Sequence, residues 1–169
     1  ALKNSGLGEV YHKVMESKKE VFVDMKPYAP SNGQPAMFLG NPIVYQGKVK
    51  AVLVFQISDK SINSIMQFRK GYGKSQEDYL VGQDKLMRSD SYLDPSGHSL
   101  QASFKNNATV DTESVVNALK GEKDTRVITD YNGNSVLSAY KLIYIGNNIR
   151  WAILSEIDEA EVLEEPKDV

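Results

Sequence analysis

The sequence predicts an α+β protein built of two antiparallel modules in tandem, the first of them incomplete. Strand-like alternation of apolar and polar residues runs through both halves of the 169 residues. Turn sequences such as Gln46-Gly47 and Asn132-Gly133 separate the longest of these segments, as in hairpins. The apolar segment 51–57 is matched 100 residues later by segment 151–157, and acidic residues follow both. Strands that repeatedly lead into a helix indicate one type of module used twice.

In the first half, helical and strand-like periods alternate. Asn4 or Ser5 is in position to cap a helix. The apolar face of this helix carries Leu7, Val10, Tyr11 and Val14. The pattern then predicts strands over residues 20–25, 35–45 and 48–57, with a loop over residues 26–34. A second helix begins at Ser58 or Asp59 and ends at Gly71, with Arg69 and Lys70 in its last turn.

The pattern of the second half indicates five strands and one helix. Strands are expected over residues 78–81, 86–89, 125–130, 135–145 and 149–157. The helix begins at Asp111 and ends at Gly121, and residues 92–110 are polar with little periodicity. The second module therefore has five predicted strands and the first has three, so we expect the first module to lack its opening pair.

Composition places the chain among globular proteins. A net charge of -2 is too small to indicate a nucleic-acid partner. The absence of cysteine excludes disulfides, thiolate metal sites and a cysteine nucleophile. The longest apolar stretches, such as residues 51–55, are far shorter than the roughly 20 residues of a membrane span, so any membrane anchor would lie outside this sequence. Seven acidic residues within 156–168 predict a solvated C-terminal helix or tail.

Strings that would indicate an enzyme or a metal site are incomplete. Gly73-Lys74-Ser75 resembles the end of a phosphate-binding loop, but Phe68 stands where that loop needs its first glycine. Residues 130–134 resemble the start of a calcium loop, but Lys141 replaces the bidentate glutamate, and a hairpin explains them better.

The two histidines, His12 and His98, lack a second histidine at ligand spacing, and both are predicted to be exposed. We therefore expect no catalytic residue, no cofactor and no metal site.

Three strings carry a family resemblance. Residues 79–91 (YLVGQDKLMRSDS) and 151–158 (WAILSEID) are similar to the membrane-proximal module of double Cache sensor domains. Residues 24–31, followed by Pro35, Phe38 and Pro42, are similar to the second half of the membrane-distal module. This subgroup is found on methyl-accepting chemotaxis proteins and on some histidine kinases and cyclases. The resemblance covers nearly the whole chain.

The resemblance implies a PAS-like sheet in each module, a long N-terminal helix and two flanking transmembrane helices. The expected boundaries are 1–70 for the distal module, 71–160 for the proximal module, and 161–169 for a tail leading to the second transmembrane helix. The implied protein is the periplasmic ligand-sensing part of a bacterial chemoreceptor, a homodimer in the full receptor, with residues 157–165 as its output element. Two alternatives remain, namely the same module on a histidine kinase or cyclase, and a spacer or docking domain for a periplasmic binding protein.

In this family ligands generally bind in the distal module. There Asp24 would take an ammonium group, Tyr28 and Ser31 would donate hydrogen bonds, and Phe38 would form an apolar wall. The expected ligand is accordingly a small amino acid, amine or carboxylate. The other interpretation makes Asp24 a turn cap, Tyr28 and Phe38 core residues, and Ser31 part of a polar loop.

The proximal module supplies a second set of candidates, Arg88, Ser89, Tyr131 and Tyr140. An arginine fork inside a pocket would select a carboxylate. The alternative is that Arg88 pairs with Asp84 or Asp90 at the surface.

Overall fold

The structure is a computed structural model and describes residues 2–164. These residues form an α+β protein with two antiparallel sheets and flanking helices. The chain divides into two compact units: unit 1 comprises Ala1–Ser61 and Tyr144–Ile149, and unit 2 comprises Ile62–Ile143 and Arg150–Val169. None of the helices within residues 2–164 is long and apolar enough to cross a membrane.

Unit 1 packs one helix against a three-stranded sheet. The helix is α1 (Gly6–Ser17), and the strands, in spatial order, are β1 (Val21–Pro27), β2 (Pro35–Tyr45) and β3 (Lys48–Ile57). Ser5 caps α1, because its Oγ accepts a hydrogen bond from Gly8 N at 3.4 Å. The predicted bounds of β2 and β3 are confirmed. Gln46 and Gly47 between them have φ values of 50° and 71°, the pair of left-handed residues that a tight hairpin requires.

The core of unit 1 lies between α1 and one face of its sheet. Val10 and Val14 are four residues apart, so they share a helical face, and both are fully buried. Gly40 on β2 lies beneath them, since a Cβ there would come within 2.8 Å of Val10 and 2.9 Å of Val14. The missing side chain at position 40 therefore lets α1 approach the sheet closely. The other buried members of this core are Val23, Tyr28, Ala36 and Phe38.

Unit 2 combines a four-stranded antiparallel sheet with short helices. The strands are β4 (Glu77–Gly82), β5 (Asp124–Thr129), β6 (Ser135–Ile145) and β7 (Ile149–Asp158), in the spatial order β4-β7-β6-β5. The helices from residue 59 onward are α2 (Asp59–Met66), α3 (Pro95–His98), α4 (Leu100–Asn106), α5 (Glu113–Leu119) and α6 (Glu159–Val162).

Alternation along the edge strand β4 and its neighbour β7 builds the core of unit 2. Tyr79 on β4 lies opposite Leu154 on β7, and Val81 lies opposite Ala152. All four are buried and pack with Val115 and other apolar residues of the connection between β4 and β5. Side chains on alternate positions of a strand point to the same face, so this face also receives Glu77 and Glu156, the next residues in register.

Several predicted elements differ from the observed ones. The second helix ends at Met66 and not at Gly71, and Arg69 lies beyond it, where its guanidinium donates to loop carbonyls. Residues 86–89 form only a single bridge, from Met87 to Val81, so the predicted strand there is wrong. Side chains replace the ladder bonds at this place, because Met87 N donates to Ser103 Oγ and Leu80 N donates to Ser89 Oγ, each at 3.0 Å.

The polar stretch 92–110 contains two helices that periodicity missed because each has fewer than two full turns. Asp94 caps α3 by accepting from Gly97 N at 3.1 Å, and Ser99 caps α4 by accepting from Ala102 N at 3.2 Å. The predicted cap at Asp111 is shifted by one residue, since Thr112 caps α5. Asp111 forms an ion pair with Lys85 instead.

His98 corrects another prediction. Its side chain is half-buried at 16% exposure, with Nδ1 2.7 Å from Asp94 Oδ2. His12 is exposed, as predicted.

Candidate functional site

The four candidates of the first half lie in unit 1, where two of them belong to the core. Tyr28 and Phe38 are buried and their rings meet edge to face at 5.0 Å between centroids. Phe38 also packs on Gly6, since a Cβ there would come within 2.9 Å of its ring. The space between the Tyr28 and Phe38 rings is therefore filled by the two side chains themselves.

Asp24 and Ser31 lie at the border of this core and are half-buried. Asp24 stands in β1 at an irregularity of the ladder between Val23 and Lys26, and its Oδ1 accepts from Met25 N at 2.7 Å. Ser31 ends a short 3₁₀ helix (Ala29–Ser31), and its Oγ accepts from Gln56 Nε2 at 3.1 Å. Both side chains thus already accept hydrogen bonds from residues of unit 1.

Arg88 and Ser89 lie in unit 2, after the turn that follows β4. Arg88 is only 2% exposed, and its fork donates to Asp84 and to the carbonyl of Leu86, each at 3.0 Å. Its guanidinium also lies 5.2 Å from the centroid of the Phe104 ring. Arg88 thus pairs with Asp84, one of the two partners of the alternative interpretation, but it is buried and not at the surface as that interpretation expected. Ser89 is fully buried and accepts the bond from Leu80 N described above.

Tyr131 and Tyr140 make contacts different from those of Arg88. Tyr140 on β6 is buried, and its hydroxyl accepts from Asn117 Nδ2 at 3.4 Å. Tyr131, in the turn after β5, is half-buried, and its hydroxyl lies 2.7 Å from Ser91 Oγ and donates to Glu77. Of the candidates in unit 2, Tyr131 alone reaches the buried polar group described next.

A cluster of buried polar side chains lies on the core face of the unit 2 sheet; we call it the carboxylate cluster. Its members are Glu77, Tyr79, Ser91, Tyr131, Ser138 and Glu156. Sequence reasoning did not single out its glutamates, because carboxylates are numerous in this chain. The available signal was their phase in the alternation, since Glu77 stands two residues before Tyr79 and Glu156 two residues after Leu154.

Glu77 accepts four hydrogen bonds within this cluster. Its Oε2 accepts from Ser91 Oγ and Tyr92 N, both at 2.9 Å, and from Leu93 N at 3.2 Å, while Oε1 accepts from Tyr131. Donors surround both oxygens, which is the environment that a buried carboxylate needs. Glu77 thereby anchors the chain at residues 91–93 to the sheet.

Glu156 has fewer partners. Its Oε2 accepts from Tyr79 Oη at 2.8 Å and its Oε1 accepts from Ser138 Oγ at 2.7 Å. Burial raises the pKa of the Glu156 carboxyl to about 6, and the charges of Asp130 and Glu77 act in the same direction. Burial and the neighbouring glutamates likewise raise the pKa of the Tyr79 and Tyr131 hydroxyls, which stay protonated donors.

The cluster is therefore equipped to exchange a proton at Glu156 near pH 6. Within residues 2–164, no group of three or more histidine or acidic side chains is arranged to hold a metal ion. Residues 130–134, which resemble the start of a calcium loop in sequence, form a turn. In this turn Asp130 Oδ1 accepts from Asn132 N at 2.9 Å and from Asn134 N at 2.7 Å. The hairpin interpretation of that string is confirmed.

Comparison with solved structures finds sensor domains. The periplasmic sensory domain of a Campylobacter jejuni chemoreceptor superposes with a TM-score of 0.65 at 14% identity, over 99% of this chain and 59% of that one. The ligand-binding domain of a Pseudomonas aeruginosa amino acid chemoreceptor, in complex with L-arginine, gives 0.62 at 10% identity, over 98% and 64%. The extracellular domain of a proposed histidine kinase gives 0.57 at 14% identity, over 92% and 57%.

No protein-family model matches the sequence, and no curated protein matches it either. The chain spans about three fifths of the length of these solved domains. Because the identities lie at or below 14% in these three cases, the similarity shows a common fold. The chain thus has the α+β fold seen in extracytoplasmic sensor domains of bacterial receptors.

Proposed function

We propose that this chain is part of the ligand-sensing extracytoplasmic domain of a bacterial transmembrane receptor of the double Cache type, most simply a chemoreceptor. The observation that carries the proposal is the superposition of 99% of the chain on a periplasmic chemoreceptor sensory domain. The strings 79–91 and 151–158, which resemble the proximal module, form β4 with its following turn and β7, two adjacent strands of unit 2. Sequence and fold therefore support the same assignment.

For the ligand we propose a small molecule with an ammonium group, such as an amino acid or amine, bound in unit 1. Asp24 is half-buried at the border of the core and supplies the negative charge for it. The Tyr28 ring is core, so only its hydroxyl is a candidate donor to a ligand. The solved amino acid chemoreceptor domain that this chain resembles holds L-arginine, which is of the same class.

A spacer or docking domain is the second candidate. Its support is the packing of Tyr28 against Phe38 and of Arg88 against Asp84, which occupies three of the side chains expected to meet a ligand, namely Tyr28, Phe38 and Arg88. The same sensor module on a histidine kinase is supported by the similarity to the kinase extracellular domain.

A thermal-shift screen of the chain against amino acids, amines and carboxylates tests direct sensing. A ligand that binds the folded state alone at about 100 times its Kd adds roughly 2.7 kcal/mol to the free energy of unfolding. A shift of several degrees with one chemical class is the expected result. No shift with any class contradicts direct sensing and favours the spacer or docking role.

Two conservative variants then locate the site. Asp24→Asn keeps an oxygen for Met25 N but removes the charge, and Tyr28→Phe keeps the buried ring but removes the hydroxyl. The matched controls are Asp59→Asn, whose Oδ1 accepts from Lys60 N in the same local geometry at 2.8 Å, and Tyr11→Phe on the exposed side of α1. We expect the ligand shift to be lost in the first pair and kept in the controls. A shift that survives both variants excludes the site in unit 1.

A further inference from the structure

The loop Gly73–Ser75 of unit 2 encloses a carboxylate of the same chain. Glu161 in α6 accepts from Lys74 N and Ser75 N, each at 2.7 Å, and from Ser75 Oγ. Two successive backbone N–H groups that converge on one anion form an anion-binding concavity. The hydrogen bonds from Ser75 and from the two amides lower the pKa of the Glu161 carboxyl, so it is charged at neutral pH.

Arg69 gives this loop its shape. Its Nη2 donates to Gly73 O at 2.7 Å, and its Nη1 donates to Gln76 O. These bonds hold the carbonyls on either side of the loop toward the guanidinium. The N–H groups of Lys74 and Ser75 donate instead to Glu161. Arg69 is thus a positioning residue for the concavity.

The fit between loop and carboxylate is close. A Cβ at Gly73 would overlap the Glu161 carboxyl group, so the loop needs glycine at that position to accept it. Ser75 Oγ also accepts from Asp158 N at 3.0 Å, immediately before α6. One serine therefore holds both the end of β7 and the carboxylate of α6.

We propose that loop 73–75 is a preformed anion receptor and that Glu161 occupies it as a releasable latch for the C-terminal segment. The string that resembles a phosphate-binding loop in sequence thus binds an anion, but the anion is an internal carboxylate. All contacts of the latch lie at the partly exposed edge of unit 2, where water competes for them. That exposure is what makes the latch releasable.

Arg69 and Tyr92 connect the loop that holds Glu161 to the carboxylate cluster. The Arg69 guanidinium lies 3.7 Å from the centroid of the Tyr92 ring, and Tyr92 N donates to Glu77. A rearrangement of residues 91–93 would therefore displace the ring against which Arg69 packs. A role of this release in signalling rests on the proposed function, whereas the latch itself does not.

Amide hydrogen exchange of the ¹⁵N-labelled chain, without any ligand, tests the latch. We expect the Lys74 and Ser75 amides to be protected in the wild type. Glu161→Ala should speed their exchange by about tenfold or more, since hydrogen bonds to a charged acceptor are lost. Glu161→Gln, which keeps one acceptor oxygen, should give a smaller increase. Glu164→Gln, an exposed glutamate three residues further on, is the matched control and should leave both amides unchanged.

Acetate is the probe for the receptor. In Glu161→Ala, roughly 10–100 mM acetate should shift the Lys74 and Ser75 amide resonances and restore their protection, because the vacated loop takes a free carboxylate. The wild type should not respond, since its own carboxylate is held at high effective concentration. Unprotected amides in the wild type, unchanged exchange in Glu161→Ala, or no response of that variant to acetate would each overturn the proposal. A negative ligand screen with an intact latch would count against the proposed function alone.

Discussion

Glu77 on β4 lies directly opposite Glu156 on β7 in the antiparallel register, and the two residues are 2% and 3% exposed. Like charges at directly opposed positions of a sheet are destabilising. The two carboxylates differ in their hydrogen-bond donors. Glu77 has four donors, two of them backbone N–H groups, whereas Glu156 has two hydroxyl donors and a raised pKa. Glu77 therefore anchors residues 91–93 to the sheet, and Glu156 is the carboxyl whose pKa is raised by burial.

Glu156→Gln should stabilise the protein at pH 7. The pKa of this carboxyl rises from its ordinary 4.5 to about 6 in the folded state. The stabilising contribution of the protonated form is fully present below pH 4.5 and is lost as the pH rises through about 6. This rise corresponds to roughly 2 kcal/mol in the free energy of unfolding.

Chemical denaturation between pH 4.5 and 7.5 measures that difference. The stability of Glu156→Gln relative to the wild type should grow across this range, and the exposed control Glu164→Gln should follow the wild type. A constant difference between Glu156→Gln and the wild type would show that Glu156 does not titrate there.

Removal of the Glu77 carboxylate should destabilise the protein. Glu77→Ala leaves Tyr92 N and Leu93 N without their buried acceptor, at a cost of about 1–3 kcal/mol for each group that water does not reach. Glu77→Gln keeps an acceptor oxygen and should cost less. Faster exchange of the Tyr92 and Leu93 amides in the alanine variant is the expected signature. Equal stability of Glu77→Ala and the wild type would contradict the anchoring role.

The contact of α1 with Gly40 predicts a compensating pair. Gly40→Ala should lower the stability of unit 1 by about 1–3 kcal/mol, because the new methyl group meets Val10 and Val14. Val14→Ala alone leaves a cavity in the same place. In the double variant the two changes offset each other, so the coupling energy should lie in the range of about 0.5–3 kcal/mol. Additive effects in urea denaturation would show that α1 does not pack on Gly40.

The β2–β3 turn predicts a purely conformational effect. Gly47 has a φ of 71°, and a Cβ there would meet no atom within 4 Å. Gly47→Ala should therefore cost about 1–2 kcal/mol through backbone strain alone. Gln46→Gly, which relieves the neighbouring left-handed residue at φ 50°, is the opposing variant and should not destabilise. Amide hydrogen exchange along β2 and β3 measures the stability of the hairpin in both variants. Exchange rates in Gly47→Ala equal to those of the wild type would argue against this turn geometry.

Long regular elements were predictable from the sequence. Short helices, and segments whose backbone hydrogen-bonds to side chains, were not. The bounds of β2 and β3 follow from alternation and from the turn at Gln46-Gly47, both of which are local signals. Residues 86–89 have the composition of a strand, but the hydroxyls of Ser89 and Ser103 take the hydrogen bonds that a neighbouring strand would have made. α3 and α4 are capped at Asp94 and Ser99, yet each is too short to show a period.

The sequence by itself determined the α+β class, the hairpins, and the resemblance to a sensor domain, because these depend on periodicity and on strings of neighbouring residues. The tertiary structure alone decided which polar partners the carboxylates meet. Glu77 reaches Tyr131, and Glu161 reaches Ser75, across 54 and 86 residues of chain. Only strand register and loop geometry bring such groups together, so burial, protonation and the latch at Glu161 became visible only in the fold.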